Sequence, residues 1–258
     1  MPIDKQFISF YTMLRKGVIR IFRIWGQTLL PSLVTSVLYF AIFGKILGSR
    51  IGELNGVPYI LFVVPGLVML SVITNAFMEV ASTFFFSKFF SRNIDEILVS
   101  PTPPAVIIAG YVAGGIVRGS LVGALVLLVS LFFALPSIAH PLVVLLFLFL
   151  SSGIFALGGL INGIYAKTFD SISIVPTFVL TPLVYLGGVF YSIHSLPPVW
   201  QTVSLFNPIF YIINGFRYGF LGTSDISILY CTLALLGLAL VLIGANWYML
   251  RKGLGLKQ

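Results

Sequence analysis

Charged residues are scarce in this sequence. Lys, Arg, Asp and Glu together make up 9% of the 258 residues, whereas 59% are hydrophobic. A soluble domain carries about 25% charged residues, and the mean hydropathy of this chain is +1.09. A globular domain surrounded by water is therefore excluded, and most of the surface is expected to face a membrane.

Cysteine is almost absent as well, with the single residue Cys231. One cysteine excludes an internal disulfide framework and any metal site built from cysteines. Because Cys231 lies inside an apolar run, we expect a small buried side chain and not a reactive thiol.

Motifs for catalysis and nucleotide binding are also lacking. Gly44 and Lys45 are followed by Ile46, and the glycine that a phosphate-binding loop requires five residues earlier is missing. The sequence has no His-Glu-x-x-His, no Gly-x-Ser-x-Gly and no cluster of carboxylates, and His140 and His194 are isolated. We therefore predict no active site, no metal and no cofactor on this chain. Energy for any uphill movement has to come from a partner.

Six apolar runs approach or exceed the length of about 20 residues that a helix needs to cross a bilayer. They cover residues 29–47, 58–80, 106–135, 142–165, 174–192 and 228–250. Residues 193–227 are semi-apolar but interrupted by Pro197, Pro198 and Pro208, so they are not a clean span. We predict an all-α membrane protein whose single six-span domain covers residues 1–258.

Basic residues in the connections predict the orientation, since cytoplasmic loops are enriched in Lys and Arg. One side of the membrane receives the N-terminus, residues 81–105, residues 166–173 and the C-terminus. That side carries Lys5, Arg15, Lys16, Arg20, Arg23, Lys88, Arg92, Lys167, Arg251, Lys252 and Lys257. The opposite connections carry only Arg50 and Arg217. Both termini are therefore predicted to be cytoplasmic, and the net charge of +8 requires no nucleic-acid partner.

Residues 1–28 are predicted to form an amphipathic helix. Large apolar residues recur at intervals of three and four, from Ile3 and Phe7 to Phe22 and Trp25. A second stripe with the same spacing contains Lys5, Ser9, Thr12, Lys16, Arg20 and Arg23. Such a helix lies flat in the headgroup layer with its cations near anionic lipid. A basic helix packed on another protein is the alternative.

A compact polar stretch, SRNIDEILVSPTPP at residues 91–104, separates the second and third runs. Arg92 and Glu96 are four residues apart and, with Asp95, can lie on one short helix. The stretch closes with three prolines, Pro101, Pro103 and Pro104. Proline lacks an amide donor and disfavours helix at the preceding residue, so the exit is extended. A rigid proline-bounded handle and an ordinary solvated loop explain this spacing equally well.

A charge lies inside the third run, at Arg118. A charged side chain at the centre of a membrane helix costs a few kcal/mol, so Arg118 must snorkel, pair or face a wet cavity. Glu79 is the nearest candidate partner along the chain. An ion pair that fixes helix packing and a place in a translocation pathway both remain open. Gly115, Gly119 and Gly123 repeat every four residues and predict close helix contact, within one chain or across a dimer.

The order of these features resembles the membrane subunit of the type-2 ABC transporters, an exporter family with six spans per chain. The resemblance covers essentially the whole chain. It rests on FVVPGLVMLSVITNAF in the second run, RNIDEILVSPTPPAVIIAGYV after it, AKTFDSISIVPTFVLTPLVYLGGVFYS later, and LPPVWQTVSLFNPIFYIINGFRYGF before the last run. The polar block followed by proline is the most specific of these. Within the family, the match is closest to small permeases encoded separately from their ATPase.

In that family the part similar to residues 91–104 is the coupling helix that docks into the ATPase, which implies a coupling region at residues 81–105. The resemblance assigns ATPase coupling to Arg92, Asn93, Asp95, Glu96, Pro101 and Pro103. Residues 166–173, with Lys167 and Asp170, are the second candidate coupling loop. Residues 193–227 would form a re-entrant helical hairpin on the outer side.

The resemblance implies the permease subunit of an ATP-driven exporter in a bacterial inner membrane. It is expected to act as a homodimer with two cytoplasmic ATPase subunits that carry ATP and Mg, and not to be an enzyme itself. The substrate is left open. A secondary transporter driven by an ion gradient is the main rival, although such folds usually show internal repeats and intramembrane carboxylates. A third hypothesis, a membrane-embedded enzyme or assembly subunit, is weakened because catalytic motifs are missing.

Overall fold

The computed structural model describes residues 2–54, 56–90, 96 and 100–255. Within these residues, six helical segments are long and apolar enough to cross a membrane, which confirms the predicted fold class. We number them spans 1 to 6: Trp25–Ile51, Tyr59–Phe89, Pro104–Ser130, Pro141–Tyr165, Phe169–Leu186 and Ile228–Lys252.

Two of the spans change helix type along their length. Span 1 consists of Trp25–Thr28, Leu30–Tyr39, a π-helical segment at Phe40–Leu47, and Gly48–Ile51. Span 5 consists of Phe169–Val175, a π-helical segment at Pro176–Leu180, and Thr181–Leu186. The π-helical segments interrupt the regular α-helical hydrogen-bond pattern of spans 1 and 5. Such irregularities are frequent at functional sites.

The remaining described elements lie before or between the spans. Three helices lie outside the spans: α1 (Ile3–Arg23), α2 (Pro198–Leu205) and α3 (Pro208–Leu221), with a 3-10 turn at Ile193–Ser195. Strands β1 (Glu53–Leu54) and β2 (Val57–Pro58) pair antiparallel between spans 1 and 2. These four residues are the only departure from helix in the regular structure of the described chain.

Several predicted boundaries were wrong. Span 2 was expected to end at residue 80 but continues to Phe89, so residues 81–89 of the predicted coupling region belong to a membrane helix. Span 3 ends at Ser130 and not at residue 135. Span 5 begins earlier than expected, since Thr168 and Ser171 form a capping box ahead of Phe169. It ends before Gly188, whose φ is +79°.

Span 2 forms the centre of the bundle. Of its most apolar 18-residue stretch, 72% is buried, against 11% for spans 1 and 6 and 17% for span 5. Val64, Met69 and Ile73 of span 2 are completely buried. Spans 1, 5 and 6 therefore leave most of their surface for lipid or for a partner chain.

Span 3 packs closely against spans 2 and 4 through its glycines. A Cβ atom on Gly115 would lie 2.8 Å from the Cβ of Ala156 in span 4. One on Gly119 would lie 3.1 Å from the Cβ of Ala76 in span 2 and 3.2 Å from the Cβ of Ser152 in span 4. The predicted small-residue face therefore packs within one chain.

Helix α1 lies against span 3. A Cβ on Gly110 would be 2.7 Å from the sulfur of Met13, and one on Gly17 would be 3.9 Å from the Cα of Gly114. The predicted helix of residues 1–28 was too long, because α1 ends at Arg23 and the residues from Trp25 on form the start of span 1. Phe7 and Phe22 remain exposed.

Helix α3 is the most buried element outside the spans. Arg217, which the sequence placed in a connection opposite the termini, is 6% exposed within this helix. Its Nη2 donates to the carbonyl oxygen of Gly188 at 2.6 Å, and its guanidinium lies 3.7 Å from the ring centroid of Phe62. Burial lowers the pKa of Arg217 to about 10, while the charge of Asp225 acts in the opposite direction. Arg217 thus stays charged at neutral pH and binds α3 to span 2 and to the end of span 5.

Candidate coupling surface and membrane-embedded polar network

Helix ends and the C-terminal residues meet at one end of the bundle, which we call the termini end. The Nζ of Lys88, in the last turn of span 2, donates to the carbonyl oxygens of Ile164 in span 4 at 3.0 Å and of Gly255 at 2.5 Å. The last carbonyls of a helix lack partners within the helix, and a lysine supplies one. Sequence analysis counted Lys88 only as a loop cation, because contacts between distant helix ends leave no local pattern.

The predicted coupling stretch is described only in part. Arg92, Asn93 and Asp95 lie outside the described residues, and so does the expected pairing of Arg92 with Glu96. Glu96 is helical and exposed. Its carbonyl oxygen accepts a hydrogen bond from the amide of Ser100 at 3.0 Å. Glu96 is therefore an exposed residue of the termini end.

The prolines of this stretch set the start of span 3. Pro101 is exposed. Pro103 is extended, with φ −61° and ψ 143°, and Pro104 is the first residue of the helix. The carbonyl of Pro103 accepts from the amides of Val106 at 2.9 Å and Ile107 at 3.3 Å. Proline at the first helical position has its φ already fixed and loses no hydrogen bond. The stretch thus joins span 3 through a stiff connection.

The second predicted loop is capped and exposed. The amide of Ser171 donates to Oγ1 of Thr168 at 3.3 Å, and the amide of Thr168 donates to the hydroxyl of Ser171 at 3.1 Å. Lys167, just before this capping box, and Asp170, between its two residues, are both exposed. Two opposite charges are thereby presented on a short ordered turn.

Aromatic contacts anchor this second loop on the end of span 2. The ring centroid of Phe169 lies 6.4 Å from that of Phe85 and 5.8 Å from that of Phe86. Edge-to-face and offset ring pairs at such distances are favourable. Because span 2 leads directly into residues 91–104, the loop with Lys167 and Asp170 and the stretch with Glu96 both adjoin the end of span 2.

An ion pair lies within the spans. Nη1 of Arg118 in span 3 is 2.5 Å from Oε2 of Glu79 in span 2, and the exposed fractions of the two side chains are 13% and 4%. Nη2 of Arg118 also donates to Oδ1 of Asn75 at 3.3 Å. The sequence analysis named Glu79 as the nearest candidate partner, and the structure places the two charges in direct contact.

Further hydrogen bonds extend this pair to four elements. Oγ1 of Thr83 donates to Oε1 of Glu79 at 3.0 Å, and Arg20 of α1 donates to Oγ1 of Thr83. Nδ2 of Asn75 donates to Oγ of Ser32 in span 1 at 3.0 Å. The chain of contacts from Arg20 to Ser32, called the polar network below, connects α1 with spans 1, 2 and 3. The pairing of Glu79 with Arg118 could be expected from the sequence, whereas Ser32, Asn75 and Thr83 could not, because neutral hydroxyl and amide groups in apolar runs carry little signal.

A polar groove lies between spans 1, 2 and 5, next to this network. It has a volume of about 310 Å³. Its lining includes the hydroxyl and amide side chains of Ser32, Thr35, Tyr39, Ser71, Thr74, Asn75, Thr181 and Tyr185. Ser32 and Asn75 belong to both the groove and the polar network. Two of the spans that line the groove, spans 1 and 5, are among the three spans least buried within the chain.

No metal centre is found in the described part of the chain. Among those residues no three His, Cys, Asp or Glu side chains are grouped so that they could hold a metal ion. Cys231 is buried, and its sulfur accepts a hydrogen bond from Nδ2 of Asn214 at 3.3 Å.

Six apolar helices with a groove and a polar network between them define a multi-pass membrane protein. Comparison with protein families gives the particular class: residues 8–221 match the family described as ABC-2 type transporter. The chain belongs to this family of transporter membrane subunits.

Individual relatives are similar over most of the chain. The inner membrane transport permease YadH of Escherichia coli K12 is 53% identical over 247 residues, which cover 94% of each chain. Nodulation protein J of Rhizobium leguminosarum bv. trifolii is 28% identical over 205 residues, 76% of this chain and 74% of that protein. Nodulation protein J of Rhizobium meliloti is 27% identical over 206 residues, with coverage of 76% and 75%.

Proposed function

We propose that this chain is the permease subunit of an ATP-driven exporter of a bacterial inner membrane, with the termini end in the cytoplasm. A separate ATPase subunit would bind there and carry ATP and Mg, so that this chain itself catalyses no reaction. The proposal is supported by membership of the ABC-2 family and by the similarity to YadH, which is named an inner membrane transport permease.

The observation that carries the proposal is the pair of exposed polar segments at the termini end. Glu96 and Pro101 belong to one of them, and Lys167 and Asp170 to the other. The segment with Lys167 and Asp170 adjoins the last turns of span 2 through the ring contacts of Phe169, and the segment with Glu96 follows span 2 in the chain. A groove of an ATPase could therefore contact two segments that end on the same helix.

Motion of the ATPase would reach the membrane through spans 2 and 3. Pro103 and Pro104 join the coupling stretch stiffly to span 3, and the close contact at Gly119 holds span 3 against span 2. Packed helices move as rigid units, since a dense interior deforms little. Spans 2 and 3 would then rotate together against spans 1 and 5, and the polar groove would open or close between them.

A second copy of the chain is expected to complete the path, giving a homodimer with two ATPase subunits. Val34 of span 1 and Phe178 of span 5 are 58% and 73% exposed, and both spans border the groove. In a monomer, lipid would cover the exposed apolar surface of these two spans. The hydroxyl groups of the neighbouring groove would then face lipid as well. Apposition of two copies would remove that mismatch and enclose the groove.

The rival, a carrier driven by an ion gradient, would require an intramembrane carboxylate that is free to exchange ions. Among the described residues, Glu79 is the acidic residue deepest within a span, and it is bound by Arg118 and Thr83. ATP coupling is therefore the function that the geometry favours.

The coupling stretch provides the test. Glu96→Lys should leave the isolated permease folded in detergent, because its side chain is exposed, but should weaken co-purification of the ATPase or uncouple its ATP hydrolysis from transport. A desolvated charge pair lost at an interface costs about 2–5 kcal/mol, against less than about 1 kcal/mol on a free surface. Pro103→Gly should affect binding less and coupling more, by softening the connection to span 3.

The matched control is Lys45→Glu, a charge reversal at an exposed position of span 1 far from the coupling stretch in sequence. It should leave ATPase binding unchanged. If the Glu96, Arg92 and Asp95 charge reversals all preserve assembly and coupled hydrolysis, the ATPase does not dock at this stretch. Lys167→Glu and Asp170→Lys would then examine the second loop.

A further inference from the structure

A cavity of about 630 Å³ lies at the termini end between α1, span 2 and span 3. Helix α1 lines it with Met13, Lys16, Gly17 and Arg20. These residues are three or four positions apart and so share one helical face. The basic stripe of α1 was expected to face the headgroup layer, but two of its cations line an internal space formed with the spans.

Among the described residues that line the cavity, cations outnumber acids. Lys16 and Arg20 supply two cations, and Glu79 is the acidic residue of the lining. The carboxylate of Glu79 is already paired with Arg118, which does not itself line the cavity. An anion entering here would therefore meet Lys16 and Arg20 beside an acid whose charge is balanced from the other side.

The remaining wall is largely apolar and is opened by glycine. Met13, Val80 and Gly110 contribute to it. A Cβ atom on Gly114 would meet no atom within 4 Å, so the helix surface at this position faces empty space. The cavity has a cationic side and an apolar side, and its volume lies in the usual range for small-molecule sites, roughly 300–1,000 Å³. These properties suit an anionic amphiphile.

We propose that this cavity binds an anionic phospholipid, with its phosphate beside Lys16 and Arg20 and an acyl chain along Gly114. Access from the membrane is provided by the position of α1, whose exposed Phe7 and Phe22 suit the boundary between headgroups and acyl chains. The inference rests on the proposed location of α1 at the cytoplasmic membrane surface, and it goes beyond ATP-driven transport. The bound lipid would connect α1 with spans 2 and 3 beside the polar network.

Lipid binding to the purified permease, without any ATPase, tests this site. Native mass spectrometry in an uncharged detergent would compare phosphatidylglycerol with phosphatidylcholine of the same acyl chains. We expect phosphatidylglycerol to bind at least roughly tenfold more tightly, because both lipids carry the anionic phosphate but phosphatidylcholine would also place its choline cation beside Lys16 and Arg20, and like charges at an interface are unfavourable. Because no ATPase is present, the result is independent of the proposed coupling.

Charge variants distinguish lipid binding in the cavity from general attraction of anionic lipid to the basic surface of the protein. The double variant Lys16→Gln with Arg20→Gln should remove the preference for phosphatidylglycerol. Lys5→Gln with Arg15→Gln changes the net charge equally at exposed positions outside the cavity lining and should retain the preference. Equal losses in both double variants would overturn the proposal, as would equal binding of the two lipids to the unaltered permease.

A cavity-filling variant keeps the test valid if the charge variants fail to fold. Gly114→Leu places a side chain in the empty space and should weaken phosphatidylglycerol binding by roughly tenfold or more, since the acyl chain loses its place. Gly237→Leu in span 6, where a Cβ also meets nothing within 4 Å, is the matched control and should bind as before. Unchanged binding to Gly114→Leu would place the lipid elsewhere.

Headgroup competitors decide between lipid and free phosphate. Inorganic phosphate and glycerol 3-phosphate carry the anion without acyl chains. Neither should displace phosphatidylglycerol at millimolar concentration if the apolar wall holds a chain. Displacement by either compound would mean that the cavity recognises a soluble phosphate and would overturn the lipid assignment.

Discussion

Glu79 and Arg118 form the buried centre of the polar network. Each charge would be costly alone in a membrane helix, and the cost is offset by their direct contact and by Asn75 and Thr83 around them. Breaking a buried ion pair leaves one charge without compensation, which is strongly destabilising. Replacing both partners by apolar residues is often neutral. Stability of single and double variants therefore separates a packing function from a transport function.

Arg118→Ala should lower the free energy of unfolding by about 3–5 kcal/mol. The double variant Arg118→Leu with Glu79→Leu should recover most of this loss, as measured by thermal unfolding in detergent with size-exclusion chromatography of the folded fraction. Lys45→Ala, at an exposed cation of span 1, is the control and should change little. If Arg118→Ala is as stable as the unaltered chain but abolishes transport, Arg118 acts in the pathway.

At the scale of elements, span 3 is held between spans 2 and 4 by contacts that only glycine permits. Gly119 brings span 3 close to Ala76 and Ser152, and Gly115 does the same for Ala156. Without a hydrophobic effect between helices inside a membrane, such close approach supplies much of the packing energy. Spans 1, 5 and 6 lack this coverage and are the elements free to move or to meet a partner.

Gly119→Leu should therefore disrupt the bundle. Its Cβ would already be 3.1 Å from the Cβ of Ala76, so the rest of the side chain must push span 2 or span 4 aside, at a cost of about 1–3 kcal/mol or more. We expect a lower folded yield and a lower unfolding temperature. Gly237→Leu, which adds the same side chain in open space, should fold normally. Equal behaviour of the two variants would contradict the packing described for span 3.

At the scale of the whole molecule, the two ends of the bundle are built differently. The termini end carries α1, the exposed Lys167 and Asp170, and the lysine contacts of the span ends. The opposite end is closed by α3, which Arg217 and Asn214 fasten to neighbouring segments. An open polar end and a sealed opposite end suit a permease that receives its driving force from one side.

Cysteine labelling tests the orientation of these ends. In a Cys231→Ser background, Ser9→Cys and Lys167→Cys should react with a membrane-impermeant reagent only after the inner face is exposed. Ser224→Cys, at an exposed position of the opposite end, should react from outside. Serine can still accept the hydrogen bond that Asn214 donates to Cys231, so the background variant should fold. Labelling of Lys167→Cys from outside would reverse the proposed orientation.

The number of spans and the family could be read from the amino-acid sequence alone. Apolar runs of about 20 residues identify membrane helices because hydropathy is a sum over neighbouring residues. Arg118 was recognisable as a charge that requires a partner, and Gly115, Gly119 and Gly123 as a packing face, because the helical repeat fixes which residues share a side. Boundaries were less accurate, as the continuation of span 2 to Phe89 shows.

Only the tertiary structure decided which distant side chains meet. Three features depend on how each helix is rotated and packed against its neighbours. They are the contact of Lys88 with Gly255, the burial of Arg217 against Phe62, and the position of Lys16 and Arg20 in the lining of a cavity. Local periodicity describes the faces of one helix but not the orientation of another. The polar network and the cavity beside it therefore arise from helix packing, whereas the spans that form them can be predicted from the sequence.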